Sequence, residues 1–241
     1  MRHLLILSLA LALSLSAYAG NDVTTLQELE QDVKNNLATE ADPFHPDSVL
    51  DDFINMACRE LAGYGAIEKL DSVILSSGQP LYALDSVCLE IVSVFPCTVN
   101  ASQGLDRIDT RDWGKIAASS QLTTSRYYAF QPAYYAEKKA WAVPRIRLYP
   151  AHSGLADTLL IVYYAQANEL TADTDTTNVP YEYRYLVVIH ATAQSFARAQ
   201  EYNKASWWFS LYDQERQRKG LIKPIRLQVR DYIVKSKEID R

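Results

Sequence analysis

Apolar residues recur at helical spacing near both ends of the chain. The first predicted helix covers 24–37, and its apolar positions lie three or four residues apart: Leu26, Leu29, Val33 and Leu37. A second helix is predicted to begin at Pro46, because a proline in the first helical turn loses no hydrogen bond there. Its apolar stripe runs from Leu50 to Tyr64. Both helices are therefore expected to pack one face on a core.

Strand-like patterns replace the helical spacing between 71 and 165. The turn at Gly78 is predicted to join 72–76 and 80–84 as a hairpin. A short helical segment containing Trp113 is predicted over 106–116. The remaining strands are predicted over 89–94, 126–130, 140–149 and 158–165. Short strands separated by turn residues favour a small antiparallel sandwich or barrel.

A polar tract over 168–180 contains Asp173 and Asp175, whose D-x-D spacing is one that calcium loops use. The tract has no glycine at the sixth position of such a loop, and Arg184 stands where a bidentate glutamate is needed. The better interpretation is a polar turn that caps the helix following it.

The last third of the chain predicts two more helices, joined as a hairpin. One begins at Tyr181, and the other restarts the apolar spacing at Ala205 and ends at Gly220. On the second helix Trp208 is predicted to be buried, whereas Trp207 lies at the edge of the stripe. The basic residues 216–219 are predicted to be a solvated helix end.

The pattern as a whole predicts an α+β fold. A bundle of about four helices is expected to carry a small antiparallel β-sandwich or barrel domain inserted between its second and third helices. The predicted parts are the N-terminal helices at 20–70, the β domain at 71–168, the helical hairpin at 169–223 and an extension at 224–241.

Residues 1–19 resemble a bacterial secretory leader. A short basic start precedes an apolar run from Leu4 to Leu15, and Ala17 and Ala19 are the small residues that a signal peptidase requires. Cleavage is predicted between Ala19 and Gly20. No later stretch reaches about 18 uninterrupted apolar residues, so no membrane partner is predicted for the mature chain.

Composition narrows the classes of function further. The net charge of −5 gives no support for non-specific nucleic-acid binding. Three cysteines leave one thiol unpaired in a monomer, and they match no zinc framework. Three buried, inert thiols are the better interpretation, and a Cys88–Cys97 bridge is the alternative left open.

Motifs of known chemistry are missing from the sequence. There is no GxSxG, no HExxH and no phosphate-binding glycine loop. After leader removal the histidines are His45, His152 and His190, and no two of them stand at metal-ligand spacing. We therefore predict no catalytic residue, no metal site and no cofactor, and we expect a protein that is not an enzyme.

Sixteen tyrosines favour an interaction protein, because a tyrosine ring supplies apolar area together with a polar hydroxyl. Carbohydrate stacking is the alternative use of the tyrosine pairs. Adjacent strand residues face opposite ways, however, so each pair presents one ring per face. The residues predicted to form the interface are Trp207, Tyr127, Tyr134 and Tyr163.

The order of several short motifs resembles the head–tail connector adaptors of tailed bacteriophages. It includes RIRLYPAHSG from Arg145, LLIVYYAQANELTADTDTTNVP from Leu159, and Ala205 followed by Trp208. Each motif is weak alone, and the resemblance, over about 47–220, depends on their order.

The resemblance implies a non-enzymatic virion protein, assembled in the host cytoplasm. Such proteins form a ring of identical copies between portal and tail proteins, and DNA passes through the ring as cargo. The leader is a departure, because connector proteins need no export signal. The alternative function is therefore a periplasmic or secreted module that binds a ligand or envelope partner through its tyrosine-rich β face.

Overall fold

The computed structural model describes residues 24–38, 45–96, 104–108, 127–132, 143–152, 157–222 and 224–225. The chain divides into two compact units. Unit 1 comprises residues 1–57 and 169–212, and unit 2 comprises residues 58–168 and 213–241. The predicted leader at 1–19 lies outside the described residues, as do Cys97 and most of the predicted extension.

Four α-helices and seven strands occur in the described part of the chain, which confirms the predicted α+β class. The helices are α1 Leu26–Leu37, α2 Asp47–Gly63, α3 Arg184–Arg198 and α4 Tyr202–Arg218, with a 3-10 turn at Tyr181–Tyr183. The strands are β1 Glu68–Leu75, β2 Leu81–Ala83, β3 Cys88–Pro96, β4 Asp106–Arg107, β5 Tyr127–Gln131, β6 Arg145–Tyr149 and β7 Asp157–Ala165.

Helix α1 begins with a reciprocal cap. The Thr25 hydroxyl accepts the backbone N–H of Glu28, and the Glu28 carboxylate accepts the N–H of Thr25. The helix ends at Ala38, whose φ of 55° is left-handed. The apolar stripe that the sequence predicts is buried as expected: Leu26, Leu29, Val33 and Leu37.

Helix α3 is the centre of unit 1. It is buried on every side from Leu186 to Ala193, and α1 packs against it. A buried helix must satisfy its own polar groups, and the hydroxyls of Thr192 and Ser195 do so by donating to the carbonyls of Val188 and Ala191. The sequence predicts one apolar stripe here, whereas the structure gives the helix no solvent-facing side over these residues.

The polar tract before α3 caps α1 instead of the helix that follows it. The carbonyls of Asp175 and Asp173 accept the N–H groups of Leu26 and Gln27, at 2.9 and 3.2 Å. Hydrogen bonds from Thr171, with a further one from the Ala172 N–H, lower the pKa of Asp175. The predicted cap is therefore real but belongs to a different helix, because its partner is distant in the sequence.

Buried Asn55 of α2 holds the beginning of this tract. Its amide nitrogen donates to the carbonyl of Leu170 at 2.8 Å, and its amide oxygen accepts the N–H of Leu170 at 2.9 Å. The Asn55 side chain thus satisfies both backbone groups of fully buried Leu170, as a neighbouring strand would.

Unit 2 contains a three-stranded sheet in the order β1-β7-β3 and a four-stranded sheet in the order β2-β6-β5-β4. All pairs are antiparallel except β4 with β5. The inward residues of β7 form much of the core: Leu159, Ile161, Tyr163 and Ala165. Neither sheet closes into a barrel within the described residues, so the barrel alternative has no support there.

The predicted hairpin of 72–76 with 80–84 is wrong. β1 pairs with β7 and β2 pairs with β6, so the two segments belong to different sheets. At the turn between them, the N–H of Gly78 donates to the carbonyl of His152 at 2.7 Å. A long-range partner therefore fixes this turn, which the local pattern does not reveal.

The predicted helical segment at 106–116 is wrong at its start, because Asp106 and Arg107 form β4. Arg107 pairs with Glu90 of β3 at 2.7 Å. Residues 109–116, with Trp113, lie outside the described residues.

The end of α4 is a solvated helix end at Arg218 and Lys219, as the sequence predicts, but not at Arg216. Arg216 is only 7% exposed. Its guanidinium lies 4.1 Å from the ring centroid of Tyr64, donates to the carbonyl of Leu221 and pairs with Asp213 at 2.9 Å. A planar guanidinium suits such a stacked and hydrogen-bonded site. Arg216 is therefore a structural residue of unit 2.

No helix among the described residues is long and apolar enough to cross a membrane.

Replacing Asn55 with alanine is expected to destabilise the protein, because both backbone groups of Leu170 lose a buried partner. Each unpaired group costs about 1–3 kcal/mol. Chemical denaturation followed by circular dichroism measures the change in the free energy of unfolding. Asn35→Ala is the control, since the Asn35 amide bonds Gln31 at the surface. Equal losses in the two variants would contradict the role assigned to Asn55.

Candidate assembly surface

The four residues predicted for an interface lie in very different environments. Trp207 is 60% exposed on α4, Tyr127 is half-buried at the start of β5, and Tyr163 is only 3% exposed. Tyr134 lies outside the described residues. Trp207 is therefore the residue on which a contact surface can be built.

Tyr163 has a role inside unit 2. Its hydroxyl donates to a carboxylate oxygen of Asp85 at 3.2 Å. Burial, with Asp85 adding to it, raises the pKa of Tyr163 well above its ordinary value. A ring held in this way gives a partner almost no area, so no interface is based on it.

Helix α4 presents Trp207 because its other side is committed to the core of unit 1. Ala205 and Tyr212 are buried, and the Tyr212 ring meets the ring of His190 edge-on with centroids 5.0 Å apart. Trp208, predicted to be buried, is half-buried, and its ring lies edge-on to that of Trp207 at 5.0 Å. The rings of Trp207 and Trp208 thus lie at the boundary between the core of unit 1 and solvent.

Most exposed neighbours of Trp207 on α4 are small and uncharged. Asn203 and Ser210 lie four and three residues away, and Ser206 directly precedes Trp207. Lys204, three residues before Trp207, is charged and pairs with Glu201 at 2.5 Å. An exposed tryptophan beside small polar side chains, with a paired lysine next to it, has the composition of a protein interface.

A polar groove at the start of α3 is a second feature of unit 1. Its volume is about 430 Å³, and it is lined by Asp32, Asn35, Asn36, Tyr181, Glu182, Arg184, Tyr185 and Val188. Arg184 pairs with Asp32 at 2.8 Å and lies over the ring of Tyr181. Tyr181 and Tyr185 are more than half exposed. The sequence analysis missed this groove, because α1 and α3 are far apart in the chain.

A buried acidic pair links α1 to the first part of α2. Burial, with Asp51 adding to it and Lys34 opposing it, raises the pKa of Glu30 to about 7. Burial raises the pKa of Asp51 as well. Lys34 contacts Glu30 at 3.4 Å and Asp47 at 2.6 Å. The folded state therefore favours the protonated form of Glu30 more than the unfolded chain does.

The described residues contain no group of three or more His, Cys, Asp or Glu side chains able to hold a metal ion. Cys88 is a reduced, buried thiol, and burial raises its pKa to about 12. Such a thiol is unreactive at neutral pH.

The model of a protein family described as SU10 adaptor protein matches residues 24–232. Since the match covers most of the sequence, the chain belongs to the SU10 adaptor protein family. A search of curated proteins found no match. Family membership confirms the resemblance to phage adaptors and makes the protein a phage structural adaptor, a component of the virion.

The acidic pair makes stability depend on pH. Because Glu30 binds its proton more tightly in the folded state, the free energy of unfolding should fall as the pH rises from about 4.5 to about 7. Glu30→Gln is expected to be more stable than the parent at pH 8, and the difference should vanish near pH 4.5. Urea denaturation across this range measures the effect.

The exposed carboxylate of Glu182 serves as the control. Glu182→Gln is expected to leave the shape of the stability profile unchanged. If the free energy of unfolding of Glu30→Gln depended on pH as that of the parent does, ionising Glu30 would not destabilise the folded state and the prediction would be wrong.

Proposed function

We propose that copies of this adaptor assemble into a ring that joins a portal-like protein to the tail, in a virion assembled in the host cytoplasm. DNA passes through the opening of the ring as cargo and is not bound by sequence. Membership of the adaptor family supports the role in the virion. The observation that carries the proposal of self-assembly is the exposure of Trp207 on helix α4.

A tryptophan that is 60% exposed is costly to leave in water. Burying it against a neighbouring copy recovers this free energy, and its neighbours Asn203, Ser206 and Ser210 cost less to desolvate than charged side chains do. A ring needs contacts between unlike surfaces of identical chains. We assign the face around Trp207 to one of these two surfaces.

Trp207→Ala is expected to weaken self-association by about tenfold or more, as the loss of an interface anchor does. The melting temperature should change little, since the side chain adds little to the core. Native mass spectrometry and negative-stain imaging of the full chain, with and without the portal protein, measure assembly.

Tyr202→Ala is the matched control, because Tyr202 is 67% exposed on another side of α4. It should assemble as the parent does. A strict monomer in all samples with portal present would contradict the ring. Rings that form equally well without Trp207 would assign assembly to another surface.

A further inference from the structure

The three-stranded sheet of unit 2 turns one face away from the core of that unit. Leu159, Ile161 and Tyr163 of β7 are buried, and side chains alternate along a strand, so the residues between them belong to the outer face. Those residues are Leu160 and Val162, and both are partly exposed. The solvated face of an antiparallel sheet is commonly polar, whereas the middle of this one is apolar.

Cross-strand pairing extends the apolar surface to both neighbours of β7. Directly paired residues of an antiparallel ladder lie on the same face. Val162 pairs with Leu70 of β1, and Leu160 pairs with Phe95 of β3. Ile74 lies on the same face of β1 as Leu70, four residues further along. Leu70, Ile74 and Phe95 are 50%, 71% and 45% exposed. We call these five side chains the sheet patch.

The sheet patch is broad enough to accept an aromatic ring. Four residues of β1 measure about 13 Å, and the three strands span about 10 Å. The ladder residues that lie among its members are Ser72, Ser93 and Thr158, which bring hydroxyls and no charge. Its exposed apolar area is on the order of 300 Å², a size at which such patches mark interaction sites.

The face of α4 around Trp207 has the matching shape. Trp207 is a large exposed ring among small side chains, and Asn203 and Ser210 are two of these neighbours. Half-buried Leu211, four residues after Trp207, adds apolar area on the same side. Small neighbours let the helix approach a flat surface closely, so the ring can lie against a sheet.

We infer that the sheet patch of one copy receives Trp207 of the next copy. The inference rests on the proposed ring and supplies the second of its two unlike surfaces. Each copy then gives one tryptophan and receives another, which is the heterologous contact that closes a ring. Two sheet patches packed on each other would end at a dimer and would leave Trp207 of both copies in water.

The margins of the two surfaces carry opposite charges. Exposed Glu68 lies on the sheet face just beyond the patch, since it pairs with Tyr164 of β7. Lys204 stands beside Trp207, and its ion pair with exposed Glu201 costs little to exchange. A stable interface needs about 800 Å² on each partner. The sheet patch and the tryptophan are therefore its apolar core, and these charges belong to its polar rim.

Ile74→Glu tests the sheet patch. A carboxylate inside the contact should weaken ring assembly by about tenfold or more. The melting temperature should change little, because Ile74 is exposed. Ile222→Glu is the matched control, since Ile222 is 63% exposed in unit 2 and lies outside the sheet. Native mass spectrometry of the full chain with the portal protein measures assembly, and equal effects of the two substitutions would overturn the inference.

A double variant tests whether the two side chains meet. Substitutions at residues in contact are not additive, whereas those at separate contacts are. In a chain that already carries Trp207→Ala, Ile74→Glu should weaken assembly by less than about threefold further. Losses that multiply in full would place Ile74 and Trp207 in separate contacts and would overturn the inference.

Mixing two full-length cysteine variants tests which copy supplies the tryptophan. Ser72→Cys and a tagged Ser210→Cys are made in a Cys97→Ser background; Cys58 and Cys88 are buried. A short bismaleimide is added to the mixture together with the portal protein. A covalent dimer with one copy of each variant is the expected product, because neither variant can form that link within itself. Ile222→Cys in place of Ser72→Cys should give no such dimer.

The outcomes separate this contact from the ring itself. Rings without the mixed dimer overturn the inference and leave the proposed function standing. Dimers of Ser72→Cys with itself overturn it as well, because the sheet patch then faces its own kind. So does a link confined to single chains of a Ser72→Cys, Ser210→Cys double variant. No rings and no cross-links in any sample would overturn both proposals.

Discussion

The burial of helix α3 on every side from Leu186 to Ala193 is the constraint on which unit 1 depends. A helix without a solvent-facing side needs apolar surface around its whole circumference, and its few polar groups must be satisfied inside. Thr192 and Ser195 meet this demand through their own backbone, and His45 adds a contact of 3.0 Å to the carbonyl of Ser195. Helix α4 supplies only one side to this core. Its other side is thereby left outward, with Trp207 on it.

Unit 2 differs from unit 1, because an open sheet has edge strands whose outer peptide groups have no neighbouring strand to bond. Strand β7 has neighbours on both sides and carries the core residues, whereas β1 has a neighbour on one side only within the described residues. Local devices protect part of that edge: Asp71 covers one peptide group and Tyr82 another. Exposed Ile74 lies between these two groups, and exposed Leu70 lies before them. A protein that lived as a monomer would gain from charged residues at these two positions.

The sequence predicts the helices far better than the pairing of strands, and the reason is the range of the interactions. A helix is defined by residues three and four apart, so the stripe of α1 and the restart of α4 near Ala205 are visible locally. Strand pairing joins Leu75 to Asp157, and no local signal reports it. The Gly78 turn therefore suggested a hairpin that does not form. Alternation likewise shows that Tyr163 and Tyr164 face opposite ways, but not which face is inside.

The same distinction explains which parts of the candidate surface were predictable. Trp207 follows from the helical stripe, since its neighbours Ala205 and Tyr212 define the buried side. The groove beside Arg184 does not, because its partner Asp32 comes from another helix.

Two exposed features of the described residues therefore differ in physical kind. One is a side-chain anchor on a rigid helix, where the gain comes from burying an aromatic ring. The other is an open strand edge, where peptide groups provide direction as well as affinity. Direction matters in a ring, because identical copies must repeat one rotation until the contact closes. An edge that accepts a strand in a single register fixes that rotation more tightly than an apolar patch does.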